Sequence, residues 1–152
     1  MTIMNRNVSL GLIGIMSLAL SLDAFANTFV FNPRTHSWKA INDNGKVVRT
    51  GRASGGANYC PDIKRGCRTP SGVYRVWSKG SASCRSSRYP KPHGGAKMPY
   101  CMFFSKYYAV HGSYDVPNHN ASHGCVRVTP DDAHWLSHNF MRIGTTVIVK
   151  PY

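Results

Sequence analysis

The chain has 152 residues, 42% hydrophobic and 16% charged, a composition that fits one globular domain and leaves little room for two separate cores. Lys and Arg number 19 against 6 acidic residues, a net charge of +13 that favours an anionic partner. Every acidic residue is Asp, and neither Glu nor Gln occurs, so an H-E-x-x-H zinc protease, a glutamate general base and a helix held by Glu–Lys pairs are all excluded.

Residues 1–26 read as an export signal: Arg6 is the positive start, Val8 to Leu22 an apolar stretch, and Ala24-Phe25-Ala26 a small-x-small cleavage site. The apolar run is shorter than the roughly 20 residues a spanning helix needs, so no membrane span is expected after processing. Residues 27–152 then form the functional domain, expected as a monomer in the periplasm or secreted. The basic residues of this domain are scattered, and no reader motif is present, so nucleic acid is not an expected partner.

The domain reads as short strands separated by turns. Phe29 to Phe31 and Ser37 to Ile41 are followed by Asn42-Asp43-Asn44-Gly45, a hairpin turn, and Lys46 to Thr50 returns. Val73 to Trp77 alternates apolar and basic residues. Gly80 to Gly95 is rich in Ser, Pro, Gly and Arg, as a loop or lid would be. Met102 to Phe104, Tyr107 to Val110, Val126 to Val128 and Val147 to Val149 complete the expected strands. One helix is expected after Thr129, a capping residue, with Pro130 in the first turn, Asp131 and Asp132 at the positive end of the dipole, and Trp135 and Leu136 facing the core.

The cysteines are Cys60, Cys67, Cys84, Cys101 and Cys125, an odd set in an exported chain, so one is left over. Cys60 and Cys67 bracket one loop and Cys84 and Cys101 another. Four cysteines allow three connectivities, of which these two local pairs are preferred. Cys125 then remains a free thiol, a liability in an oxidising compartment unless it is used chemically.

His111-Gly112 and Ser122-His123-Gly124-Cys125-Val126-Arg127 place histidines and the free thiol on a strand–loop–strand stretch. Thiol and imidazole suit nucleophilic acyl transfer, with His taking the thiol proton and an imidazolium and the basic field stabilising the thiolate. Gly124 removes a side chain where a substrate backbone would approach, and the amides of His123, Gly124 and Cys125 are candidate oxyanion donors. Arg127, two residues on from Cys125, shares its strand face and is placed to meet a substrate carboxylate. Tyr100, Tyr107 and Tyr108 are candidates for lining a substrate groove. His119 and His123, and likewise His134 and His138, are four apart, but with Cys125 they match no structural zinc spacing, and neither metal nor cofactor is expected.

These residues resemble the L,D-transpeptidases with a YkuD-type catalytic domain. The resemblance rests on His111-Gly112 with Ser122 to Arg127, on Thr69-Pro70-Ser71-Gly72-Val73-Tyr74, and on Met98-Pro99-Tyr100 through Phe104. It implies a mainly β, compact, sandwich-like domain with one or two short helices, associated with the cell wall and acting on peptidoglycan stem peptides. It further implies Cys125 as nucleophile, His111 as base and later acid oriented by the Gly112 carbonyl, His123 and Gly124 shaping the oxyanion site, Ser122 supporting the loop, and Arg127 anchoring substrate or loop. The implied reaction releases D-Ala from a tetrapeptide and passes the acyl group through a thioester to an amine, giving a 3-to-3 cross-link or exchange. The competing reading is a basic protein of the same fold that binds wall or surface polyanions without chemistry.

Overall fold

The computed structural model describes residues 26–152; nearly all of the expected export signal lies outside the described residues. The domain is 33% strand and 9% helical, arranged as two sheets. The larger sheet contains β1 (Thr28–Asn32), β2 (Ser37–Ile41), β3 (Val47–Arg52), β4 (Gly72–Arg75) and β9 (Thr146–Val149), in the order β3-β2-β1-β9-β4. The smaller contains β5 (Ser78–Lys79), β6 (Met102–Phe103), β7 (Ala109–Gly112) and β8 (Val126–Val128), in that order. Two pairings are parallel, β1 with β9 and β7 with β8; the others are antiparallel.

Local chemistry accounts for the elements. In the β2–β3 hairpin Asn42 Oδ1 accepts from the amides of Asn44 (3.1 Å) and Lys46 (2.9 Å), and Gly45 supplies a φ of +76°. The helix α1 (Pro130–Trp135) is capped by Thr129, whose hydroxyl accepts from the Asp132 amide at 3.2 Å, and Asp132 pairs with Arg49 at 2.8 Å. It then widens into a π-helical turn, Leu136–Phe140, closed by the Met141 amide on the Leu136 carbonyl at 2.6 Å. Leu136 is fully buried, as expected. Trp135 is half-buried, stacked on Phe140 with the Arg49 guanidinium 4.9 Å from its ring centre.

The core lies between the sheets and under α1. Phe29, Phe31, Trp38, Ala40, Val147 and Val149 from the larger sheet meet Met102, Val110, Val126 and Val128 from the smaller and Ala133 and Leu136 from the helix. Both disulfides join the preferred local pairs, Cys60–Cys67 and Cys84–Cys101, each with Cα atoms 6.1 Å apart.

Three strands differ from expectation. The run Val73 to Trp77 is divided between the sheets: β4 ends at Arg75, the Val76 amide bonds to Thr145 in the larger sheet's edge region, and the Trp77 amide bonds to Phe103 of β6. The chain therefore crosses from one sheet to the other at Val76, leading into β5, a strand of two residues that no alternation announces. The expected strand Tyr107 to Val110 begins later, at Ala109, because Ser105 to Tyr108 form the turn that joins β6 to β7, with the Tyr108 amide on the Ser105 carbonyl at 3.3 Å.

Because Leu136 has no solvent exposure, Leu136→Ala is expected to lower unfolding free energy by about 2–5 kcal/mol in denaturant titration, the range for a large-to-small core change.

Candidate active site

The parallel pairing of β7 with β8 sets Val110 against Val126, His111 against Arg127 and Gly112 against Val128. Paired residues of adjacent strands point to the same side, and side chains alternate along each strand. Val110, Val126 and Val128 therefore face the core, while His111, Arg127 and Cys125, the residue just before β8, face the other way. That other side is an open cleft of about 670 Å³ whose walls include all three.

His111 is buried, and its Nδ1 lies 2.9 Å from the Gly112 carbonyl oxygen. A carbonyl only accepts, so Nδ1 carries the proton and Nε2 is the free base. Burial pushes the His111 pKa down to about 4; the Gly112 carbonyl opposes the shift and Arg127 adds to it. Burial likewise raises the Cys125 thiol above its ordinary value, opposed by a hydrogen bond from Ala109 and by the charge of Arg127. The resting pair at neutral pH is thus imidazole and thiol. The expected thiolate beside an imidazolium is corrected: desolvation outweighs the basic field at the thiol, and at the imidazole the two act together against the charge.

The loop before the thiol is held from several sides. Ser122 Oγ donates to the Cys125 carbonyl at 2.5 Å and accepts from the Gly124 amide at 3.0 Å, tying the loop to itself. Gly124 has a φ of +125°, and a Cβ there would collide with the Tyr108 ring. Since the Gly124 amide is engaged by Ser122, an oxyanion donor would have to be a neighbouring amide. His123 points elsewhere: its Nε2 lies 2.8 Å from Asp62, and its ring stacks on Tyr89 with centroids 4.1 Å apart.

Sequence reasoning missed the segment that docks this loop. Ser54 and Arg127 exchange backbone hydrogen bonds at 3.0 and 2.8 Å, Ser122 donates to the Gly55 carbonyl at 2.9 Å, and Ala57 donates to the Ser122 carbonyl at 2.9 Å. A Cβ on Gly56 would overlap the Cys67 carbonyl, so the adjacent glycines at 55 and 56 were the signal of a close backbone approach. One expected cleft residue differs. Tyr107 and Tyr108 line the cleft, but Tyr100 is not among its lining residues, and its ring instead meets the edges of His134 and His138 at 5.1 and 5.4 Å. Arg127 lines the cleft but is already paired with Asp115 at 2.9 Å.

Cys60, Asp62 and His123 approach one another closely enough to resemble a metal triad. The Cys60 sulfur, however, is bonded to Cys67, and a disulfide sulfur lacks the thiolate charge that binds such ions.

The family model for the L,D-transpeptidase catalytic domain, YkuD, matches residues 26–149. The chain belongs to this family. Among solved structures, an L,D-transpeptidase from Xylanimonas cellulosilytica is similar at 30% identity and a TM-score of 0.69, over 84% of this chain and 62% of that one. L,D-transpeptidase 3 from Mycobacterium tuberculosis, in complex with a faropenem-derived adduct, shares the fold at 24% identity and a TM-score of 0.66, over 83% of this chain and 60% of that one. The L,D-transpeptidase from Mycobacterium smegmatis does so at 23% identity and a TM-score of 0.66, over 82% of this chain and 58% of that one. The chain thus spans less than two thirds of the length of these solved relatives. No curated protein matches significantly.

The depressed pKa of His111 has a consequence for stability. Between about pH 4 and the ordinary 6.5 the unfolded chain binds a proton at this residue that the folded one refuses, so stability rises with pH across that window and is lost as pH falls through it. At about 1.4 kcal/mol per unit the total is about 3 kcal/mol. Urea titrations from pH 4 to 7 should show this slope in the wild type and a flatter one in His111→Gln; identical slopes would contradict it.

Proposed function

We propose that the protein is an exported L,D-transpeptidase acting on peptidoglycan stem peptides. The observation that carries this reading is the presence of Cys125 and a tautomer-fixed His111 on one face of the β7–β8 pair, at the floor of the cleft. In the reaction, His111 Nε2 takes the thiol proton as Cys125 Sγ bonds to the carbonyl carbon that precedes the terminal D-Ala. The tetrahedral intermediate collapses with cleavage of the peptide C–N bond. The proton on Nε2 passes to the departing amine, D-Ala leaves, and a thioester remains. An acceptor amine then attacks the thioester carbonyl, giving its proton to Nε2; the C–S bond breaks, Nε2 returns the proton to the departing sulfur, and the thiol is regenerated as a 3-to-3 cross-link or exchange product forms.

The neutral resting pair fits this order of events. The imidazolium forms only together with a negative oxyanion close by, so each buried charge appears with its partner and neither must be held alone in a desolvated site. Two disulfides support an oxidising compartment, and the proposed location is the periplasm or the cell exterior at the wall. No helix among the described residues is long and apolar enough to cross a membrane.

Intact-mass spectrometry of the protein mixed with a disaccharide tetrapeptide tests the assignment. A tripeptidyl adduct on the wild type, with release of D-Ala, is expected; Cys125→Ala should form none and lose turnover by at least about 1,000-fold while unfolding normally. A Cys125→Ala protein with full activity would sink the reading. Because the thiol is raised at rest, iodoacetamide should react slowly near pH 7 and faster above pH 9, so slow alkylation does not argue against catalysis.

A further inference from the structure

The cleft wall is built of cations whose charge is positioned but not neutralised. Arg65, Arg68, Arg85, Arg88, Lys97 and Lys106 all line it, and among the described residues none of the six is in an ion pair. Their partners are neutral. Arg85 donates to the Gly95 carbonyl at 2.9 Å, and Arg68 donates to Asn58 Oδ1 at 2.8 Å. Arg88 and Lys106 lie over one and the same ring, that of Tyr107, at 4.2 and 5.2 Å from its centre. Arg85 and Lys97 face each other across an isolated antiparallel bridge, a like-charge cross-strand pair that costs stability.

The carboxylates of the described residues have other partners or places, and only Asp115 among them lines the cleft. Asp62 holds His123, Asp115 holds Arg127, Asp132 holds Arg49, Asp43 sits in the hairpin turn and Asp131 in the first turn of α1. Arg127, the cation nearest the thiol in sequence, therefore keeps a protein partner, while the more distant walls remain positive. A cleft in which six unpaired cations face a single carboxylate, Asp115, itself already paired with Arg127, and in which like charges are set side by side, is balanced by an anionic ligand.

Resting on the function proposed above, we infer that the cleft selects donor stems whose side carboxylates are free, over stems in which those groups are amides. The carboxylates meet the basic residues of the two disulfide-bracketed loops and of the β6–β7 turn, not Arg127. An amide cannot form these charge-assisted bonds, and it leaves the paired cations unbalanced.

The test compares kcat/KM of the purified protein on two tetrapeptide stems of one sequence, with side carboxyls free or amidated. The free form should be preferred by about tenfold or more, mainly through KM, and the preference should shrink in 0.5 M salt. Arg85→Gln combined with Lys97→Gln, both exposed and so free to change without disturbing the core, should bring the ratio toward one; Lys46→Gln on the β2–β3 hairpin should leave it unchanged. Equal turnover of both stems by the wild type overturns the inference while leaving the proposed function standing. Equal turnover together with inhibition by inorganic polyphosphate, escaped by the double variant, overturns it in favour of a wall-polymer site. Absence of an acyl-enzyme with either stem defeats the proposed function itself, a distinct result.

Discussion

The parallel pairing of β7 with β8 is the constraint on which the rest of the site depends. An antiparallel hairpin would join two such strands with a tight turn; a parallel pair requires a crossover, and residues 113–125 supply it. The crossover returns to the sheet at Cys125, so the thiol enters the register one residue before Val126 and shares a face with His111. A slip of one residue would send the thiol into the core and a valine into the cleft, losing apolar burial and chemistry together. Burial of Val110, Val126 and Val128 is therefore what aims the site. The crossover would be loose if tied only at its ends. Ser54 Oγ, which donates to His119 at 2.7 Å, and Asn120, which donates to Pro33 at 2.9 Å, fasten its middle to the larger sheet's connecting segments.

Desolvation governs the electrostatics of that face. A basic chain with net charge +13 would be expected to hold a thiolate, yet burial opposes that field at Cys125 and keeps the thiol protonated, while at His111 burial and the Arg127 charge together favour the neutral imidazole. This arrangement suits a thiol that shares its domain with two disulfides. Thiolate is the species that attacks disulfides and is oxidised, so a protonated resting thiol is protected from both; in the reaction we propose, the attacking form arises only when His111 takes its proton.

Much of this was legible in the sequence because the signals were local. Asn42 to Gly45, Thr129-Pro130 and the two cysteine-bracketed loops carry their geometry in a few adjacent residues, and each forms as expected. His111 and the Ser122 to Cys125 stretch likewise appear as a reactive set from residue types alone. The sheet-to-sheet crossing at Val76 was not legible, since an alternating run looks the same whether it pairs with one sheet or two. Nor was the docking of Ser54 to Ala57, which combines backbone hydrogen bonds that most side chains would permit with contacts of Ser54, Asn120 and Thr69 to residues far away in sequence. Tyr100 was misplaced for a related reason: it has a φ of +56°, a backbone turn that redirects its ring toward His134 and His138, and nothing in an aromatic-rich run announces it.

The two disulfide-bracketed loops show how a polar, cationic wall can be kept in place. Their basic side chains repel and neither loop supplies a buried residue of the main core, although Met98 and Cys101 anchor the second loop in a small cluster with Ala109 and Cys125. Covalent closure limits the freedom each loop has to lose; for the separation of 17 between Cys84 and Cys101 it contributes on the order of 3 kcal/mol. His123 then links the loops through unlike contacts, an ion-pair geometry with Asp62 on one and stacking on Tyr89 of the other. It sits two residues before Cys125. The residue that joins the cationic walls is thus part of the same short stretch that carries the thiol, and the position of the wall cannot drift far without moving the loop on which Cys125 depends.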